Sequence, residues 1–197
     1  MTTTAWLLGR GVELLESPDA LLGRSERGGH VRLGRYDGEV VAVKFVEGTG
    51  QSILSALDKL PPPPEHPHLV RVLHRLSGTG RWVEVRSLCE GGELYDRIAE
   101  EGVLEPQEAF SLFEQVVRAV EHSHACGVAH GQLRPEHVLL SRDETIQLLG
   151  FVQPCAASGE GGSMPTVMLR PVRPLDAPEL QGCEAVDSSA LRAADVW

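Results

Sequence analysis

The spacing of apolar residues changes character near residue 90. Before it, short alternating runs are joined by glycine-rich turns. Gly29-His30-Val31-Arg32-Leu33-Gly34-Arg35 alternates weakly, and Val40-Val41-Ala42-Val43-Lys44-Phe45-Val46 is rich in β-branched residues. The Asp37-Gly38 pair between them predicts a tight hairpin. Ile53, Leu54, Leu57 and Leu60 recur at helical spacing over 52–60, and Pro61 to Pro64 end that helix. Residues 69–76 and 82–88 predict two more strands, turning through Ser77-Gly78-Thr79-Gly80.

After Gly91-Gly92 the period becomes helical. Pro106 suits a first helical turn and Gly127 a C-terminal stop. Phe110, Phe113, Val116, Val117, Val120 and His124 follow the three-four spacing between them. They predict an amphipathic helix over roughly 107–125. Val138-Leu139-Leu140 and Thr145-Ile146-Gln147-Leu148 predict a small hairpin around Arg142-Asp143-Glu144. Residues 152–175, rich in Gly, Pro and Ser, read as a long mobile segment. The expected class is α+β, with a β-rich part followed by a helical one.

Composition narrows the function. Of 197 residues, 42% are apolar, enough for a core, and the formal charge is −10. Nucleic acids and anionic membranes call for a positive field, so neither is an expected partner. There is no signal peptide, no run able to span a bilayer and no lipidation motif. Cys89, Cys126, Cys155 and Cys183 lie far apart, which suits reduced thiols in the cytoplasm or nucleus better than disulfides or zinc. Lys44 and Lys59 are the only lysines. A lysine inside an apolar strand therefore stands out.

Six stretches, in order, resemble the eukaryotic protein kinase family. Val41-Ala42-Val43-Lys44 is similar to the V-A-I-K strand. His66-Pro67-His68-Leu69-Val70 resembles the H-P-N-I-V turn. Cys89-Glu90-Gly91-Gly92-Glu93-Leu94-Tyr95-Asp96-Arg97-Ile98 resembles the hinge and next helix of calmodulin-dependent and checkpoint-type kinases. His130-Gly131-Gln132-Leu133-Arg134-Pro135-Glu136-His137 looks like the H-R-D-L-K-P-E-N catalytic loop. Ala177-Pro178-Glu179 resembles A-P-E, and Asp195-Val196-Trp197 the D-V-W that opens the central helix of the large lobe. The resemblance implies a bilobal, kinase-like fold: an extension over 1–20, an N-lobe over 21–88, and a hinge with a partial C-lobe over 89–197. The family's remaining large-lobe helices are missing after Trp197, so the expected lobe is cut short, and without them the underside of the 107–125 helix would expose apolar surface.

The resemblance also assigns positions for the chemistry. Phosphoryl transfer needs a lysine, magnesium and a catalytic aspartate. Lys44 stands where a cation contacts the α- and β-phosphates, and its plainer reading is a snorkelling strand lysine. Its usual glutamate partner falls on Gly50 or Gln51, with Glu47 reachable only by a register slip, so that ion pair is expected to be lost. Gly29 matches the third glycine of the phosphate loop. The first two fall on Arg24 and Glu26, with Gly23 rescued only by an insertion. The base position holds Gln132, and an amide cannot take a hydroxyl proton as a carboxylate does. The magnesium positions hold His137 and Gly150, and the phosphate-receiving arginine falls on Gly131. Arg86 occupies the gatekeeper position, and Cys89 would supply the hinge amide.

Packing positions are kept where the chemistry is not. By resemblance, Val31, Ala42, Leu94 and Leu139 form a column that adenine completes. Leu54, Val72, His130 and Phe151 form a second column anchored by Asp195. The expected function is a pseudokinase: a kinase-like domain, catalytically impaired, that binds or scaffolds protein partners. Nucleotide-contacting positions would be Lys44, Gly29, Val31, Ala42, Cys89 and Leu139, with ATP bound weakly and without magnesium, or not at all. The alternatives are an unconventional, magnesium-independent serine/threonine kinase, and a degenerate fragment without a stable fold. His122, His124 and His130 lack the ligands to complete a metal site.

Overall fold

A computed structural model describes residues 3–24, 29–47, 64–78, 80–131, 133–149, 153–154 and 195. The chain divides into two compact units, Met1–Leu60 with Arg71–Leu88, and Pro61–Val70 with Cys89–Trp197.

The first unit is built on one antiparallel sheet. Its strands are β1 (Val12–Leu14), β2 (Leu21–Arg24), β3 (His30–Tyr36), β4 (Glu39–Glu47), β5 (Val72–Gly78) and β6 (Arg81–Ser87). The order is β1-β3-β4-β6-β5, with β2 pairing β3. The expected hairpin forms. Tyr36 pairs with Glu39, and Asp37 and Gly38 turn the chain with φ 52° and 84°. Both values are positive, as a two-residue turn matching strand twist requires. Val41, Val43 and Phe45 alternate onto one face with Val83 and Val85, and all five are buried.

The segment before residue 21, set apart in the sequence as an extension, contributes to this core. Helix α1 (Thr3–Leu8) buries Leu7, and β1 buries Val12. The guanidinium groups of Arg10 and Arg81 lie over the Trp6 ring, 4.4 and 5.7 Å from its centroid. Arg81 also donates to Thr3 Oγ1 at 2.9 Å. The apolar run Ala5-Trp6-Leu7-Leu8 was the sequence signal for this helix.

The second unit carries β7 (Gly92–Glu93), α2 (Leu94–Glu101), α3 (Pro106–Ala125), β8 (Val128–Ala129), β9 (Val138–Leu140), β10 (Ile146–Leu148) and β11 (Gln153–Pro154). The hairpin expected at 138–148 forms as β9 and β10, with β7 on the other side of β9. Its core joins Leu69, Leu112, Ala119, Val138, Leu140, Ile146 and Leu148.

One expectation needs correction. The strand expected over 69–76 begins at Val72. Leu69 instead bridges Leu148 and is buried in the second unit, because its backbone partners are there. Helix α3 has nearly the expected limits, and its buried stripe is only part of the apolar positions counted along it. Leu112, Ala119 and Ser123 are buried, with Val116 and Val120 packed beside them. Phe110, Phe113 and Val117 are 69%, 64% and 46% exposed. Spacing alone could not choose between two overlapping apolar stripes on this helix. The choice falls to small side chains, since Ala119 and Ser123 permit close approach. Gly127 ends the helix as expected, with φ 75° and its N–H donated to His124 O at 3.0 Å.

Residues 52–60, Gln132, Gly150 to Val152, residues 155–194 with Ala177-Pro178-Glu179, and Val196-Trp197 lie outside the described residues. No described helix is long and apolar enough to cross a membrane.

Candidate functional site

Candidate residues lie in both units. In the first, strand alternation and register decide which side chains share a face. Val31 pairs with Lys44 and Leu33 with Ala42 across β3 and β4. Lys44 pairs with Glu84 and Ala42 with Arg86 across β4 and β6. Cross-strand partners point the same way. Val31, Ala42 and Lys44 therefore lie together on the sheet face opposite the apolar core, and each is half-buried. Gly29 immediately precedes β3 and is half-buried. Gly23 stands opposite Val31, after a register shift between Leu21 and Gly23.

That face also carries a charge cluster which motif reading missed. Glu84 is only 3% exposed. Arg75 Nε donates to its Oε2 at 3.0 Å, and Arg86 Nε to its Oε1. Burial works to raise the Glu84 pKa, but Arg86, Arg75 and Lys44 outweigh it and hold the carboxyl below its ordinary range. Arg86, the gatekeeper position by resemblance, is thus bound to its own strand. The signal was in the sequence: Trp82-Val83-Glu84-Val85-Arg86 places charges within a strong β run.

In the second unit, Asp195 organises the loop entered from β8. Its Oδ2 accepts the His130 backbone N–H at 2.7 Å, and its Oδ1 that of Gly131 at 2.5 Å. His124 Nε2 lies 2.8 Å from Oδ2 and donates to it. Gly131 has φ 69°, a conformation glycine adopts without steric cost. His130 Nε2 donates to Leu149 O at 2.8 Å, since a carbonyl can only accept. Burial, then neighbouring His137, pushes the His130 pKa down to about 4, so the ring is neutral at physiological pH.

The His137 ring is 5.5 Å from that of His130. Its backbone carbonyl accepts from Leu149 N at 2.8 Å, tying the loop to the segment ahead of Gly150. β11 pairs with β8 through Gln153 and Ala129, so the chain after Gly150 returns beside the loop. Leu139 is half-buried in β9, opposite Glu93 of β7 and Gln147 of β10. Cys89 is half-buried, and Gly91 N–H bonds Leu140 O at 2.9 Å. Leu94 packs against the second core.

At the two positions that the family resemblance assigns to magnesium, the chain offers an imidazole, His137, and a residue without a side chain, Gly150. Magnesium prefers six oxygen ligands, so these residues do not fit it.

Residues 20–197 match the protein kinase domain model. The chain belongs to the protein kinase domain family, with its α+β, kinase-like fold. Among serine/threonine kinases, the maternal embryonic leucine zipper kinase of Danio rerio is 33% identical over 180 residues, 85% of this chain and 25% of that protein. CBL-interacting protein kinase 24 of Oryza sativa subsp. japonica is 34% identical over 132 residues, 67% of this chain and 28% of that one. The serine/threonine-protein kinase hal4 of Schizosaccharomyces pombe is 40% identical over 87 residues, 44% and 14% respectively. The chain thus spans between 14% and 28% of the length of these relatives. A crystal structure of Rad53 (residues 1–466) in complex with AMP-PNP aligns with TM-score 0.61 at 22% identity. It covers 74% of this chain and 39% of that one.

Proposed function

We propose that this kinase-like domain is a pseudokinase: it does not carry out conventional magnesium-dependent phosphoryl transfer and acts as a binding or scaffolding module for protein partners. One observation carries the reading. Asp195 holds the loop backbone at His130 and Gly131, yet positions 132, 137 and 150 hold Gln, His and Gly instead of the base and metal ligands. Transfer depends on positioned charge, and that charge is missing where the relevant positions fall. The loop retains a framework for shape rather than for chemistry. A cytoplasmic or nuclear setting, inferred from the scattered cysteines, belongs to this proposal.

Lys44 favours a second reading: ATP bound weakly without magnesium, with magnesium-independent serine/threonine phosphotransfer. Val31, Ala42 and Lys44 sharing one sheet face supports it. Thermal unfolding with ATP, with and without Mg²⁺, separates the two. The pseudokinase reading expects no shift that requires magnesium and no phosphate incorporated into a generic protein substrate. A magnesium-dependent shift, or turnover, overturns it. A shift without magnesium, accompanied by turnover, supports the second reading.

A further inference from the structure

We propose that Glu84 is the positioning residue for Lys44: a buried carboxylate of the adjacent strand, pinned by Arg75 and Arg86, holds the lysine in place from within the sheet. The inference goes beyond the functional reading above and holds whether or not the domain binds nucleotide.

Register supplies the first support. Lys44 and Glu84 are direct partners in the β4–β6 ladder, so their side chains leave the same face side by side. The carboxylate's orientation supplies the second. Each oxygen accepts from a different guanidinium, Oε2 from Arg75 and Oε1 from Arg86. Arg75 is itself placed over the Trp82 ring, 5.9 Å from the centroid. A carboxylate held at both oxygens cannot rotate away, and charge-assisted bonds of this kind are the strong ones. Charge supplies the third. Lys44, Arg75 and Arg86 surround one anion on one face, and all three favour its ionised form.

A plainer reading makes Glu84 only a counter-ion for the two arginines. Burying an ionised carboxylate among cations is costly, and apolar residues of similar volume commonly serve stability as well or better. The strand around Glu84 is otherwise apolar on the core side, where Val83 and Val85 are fully buried. The cost falls on the one face that carries Lys44. All four charged residues sit on three contiguous antiparallel strands, β4, β6 and β5. The carboxylate that faces the lysine therefore belongs to the same sheet as the lysine itself.

The chain has two lysines, which makes Lys44 directly readable. The full chain is pulsed with an amine-acylating reagent, and peptide mass spectrometry gives the Lys44:Lys59 labelling ratio. An ammonium held by a carboxylate resists acylation. Glu84→Gln removes the anion and leaves two cations, so the ratio rises several-fold. Arg86→Met removes a neighbouring cation and leaves Glu84, so the ratio falls. A ratio unchanged by Glu84→Gln, in protein that unfolds cooperatively, overturns the proposal. If that variant does not fold, the double variant Glu84→Met with Arg86→Met replaces the pair by apolar side chains. It is expected to raise the ratio, and an unchanged ratio there is equally fatal. No nucleotide enters the measurement, so its failure leaves the pseudokinase reading standing, and the reverse also holds.

Discussion

The Lys44 face of the first unit and the Asp195-anchored loop of the second preserve different things. The first keeps charge. Lys44, Glu84, Arg75 and Arg86 are gathered on one sheet face, with a buried carboxylate at the centre. The second keeps backbone geometry. Asp195 binds two successive N–H groups and a histidine, while positions 132, 137 and 150 hold Gln, His and Gly, the identities on which the proposed loss of phosphoryl transfer rests. If the proposed pseudokinase reading holds, a scaffold and its chemistry are separable here, because backbone hydrogen bonds and core packing do not depend on which group occupies a reactive position.

The comparison can be broken most directly at Asp195. Asp195→Ala leaves the His130 and Gly131 N–H groups and His124 without their acceptor. Such a loss is expected to cost roughly 3–5 kcal/mol, read by chemical denaturation. A cost below about 1 kcal/mol would show that the loop is not anchored there. In the first unit, Leu7→Ala empties a fully buried site between α1 and the sheet. A loss of about 2–5 kcal/mol is expected, and an unchanged midpoint would return α1 to the status of a loose extension.

The acid response of the second unit is next in size. His130 is neutral when folded, with its pKa pushed down to about 4 by burial and by His137, against 6.5 for the free side chain. The unfolded chain therefore binds the extra proton between those values. The stabilising contribution is complete above pH 6.5 and is lost as pH falls toward 4, by at most about 1.4 kcal/mol per pH unit. Denaturation at a series of pH values reads the slope. His130→Phe should flatten it, and an unaltered slope would place the titrating group elsewhere.

Gly131→Ala puts a side chain at φ 69°, with an expected cost of about 1 kcal/mol. A neutral result would mean the loop relaxes out of its bonds to Asp195. The smallest effect tests the buried stripe of α3. Phe113→Ser should change stability by no more than about 0.5 kcal/mol, whereas Leu112→Ala should cost about 2–5 kcal/mol. Equal costs would mean that Phe113 is as deeply packed as Leu112.

Much of this was legible in the chain itself, and the misses share a cause. The 30–47 hairpin, the 138–148 hairpin and the limits of α3 follow from local rules: a two-residue turn, alternation, a proline start and a glycine stop. The inward stripe of α3 and the loyalty of Leu69 to the second unit depend on partners far away in sequence. Among site residues, Lys44 announced itself as a cation in an apolar run. Glu84 sat in a similar run, but its importance lies in what it faces, and no motif carries that.

The sequence by itself determined the family, through ordered motifs, and the identities at positions 131, 132, 137 and 150 on which the functional proposal rests. Tertiary structure decided which charges meet. Strand register, set by many backbone bonds acting together, brings Glu84 opposite Lys44, and chain return brings Asp195 under His130 across 65 residues. Pairings of that range are fixed by the summed packing of the fold, because no local segment has enough contacts to specify them alone.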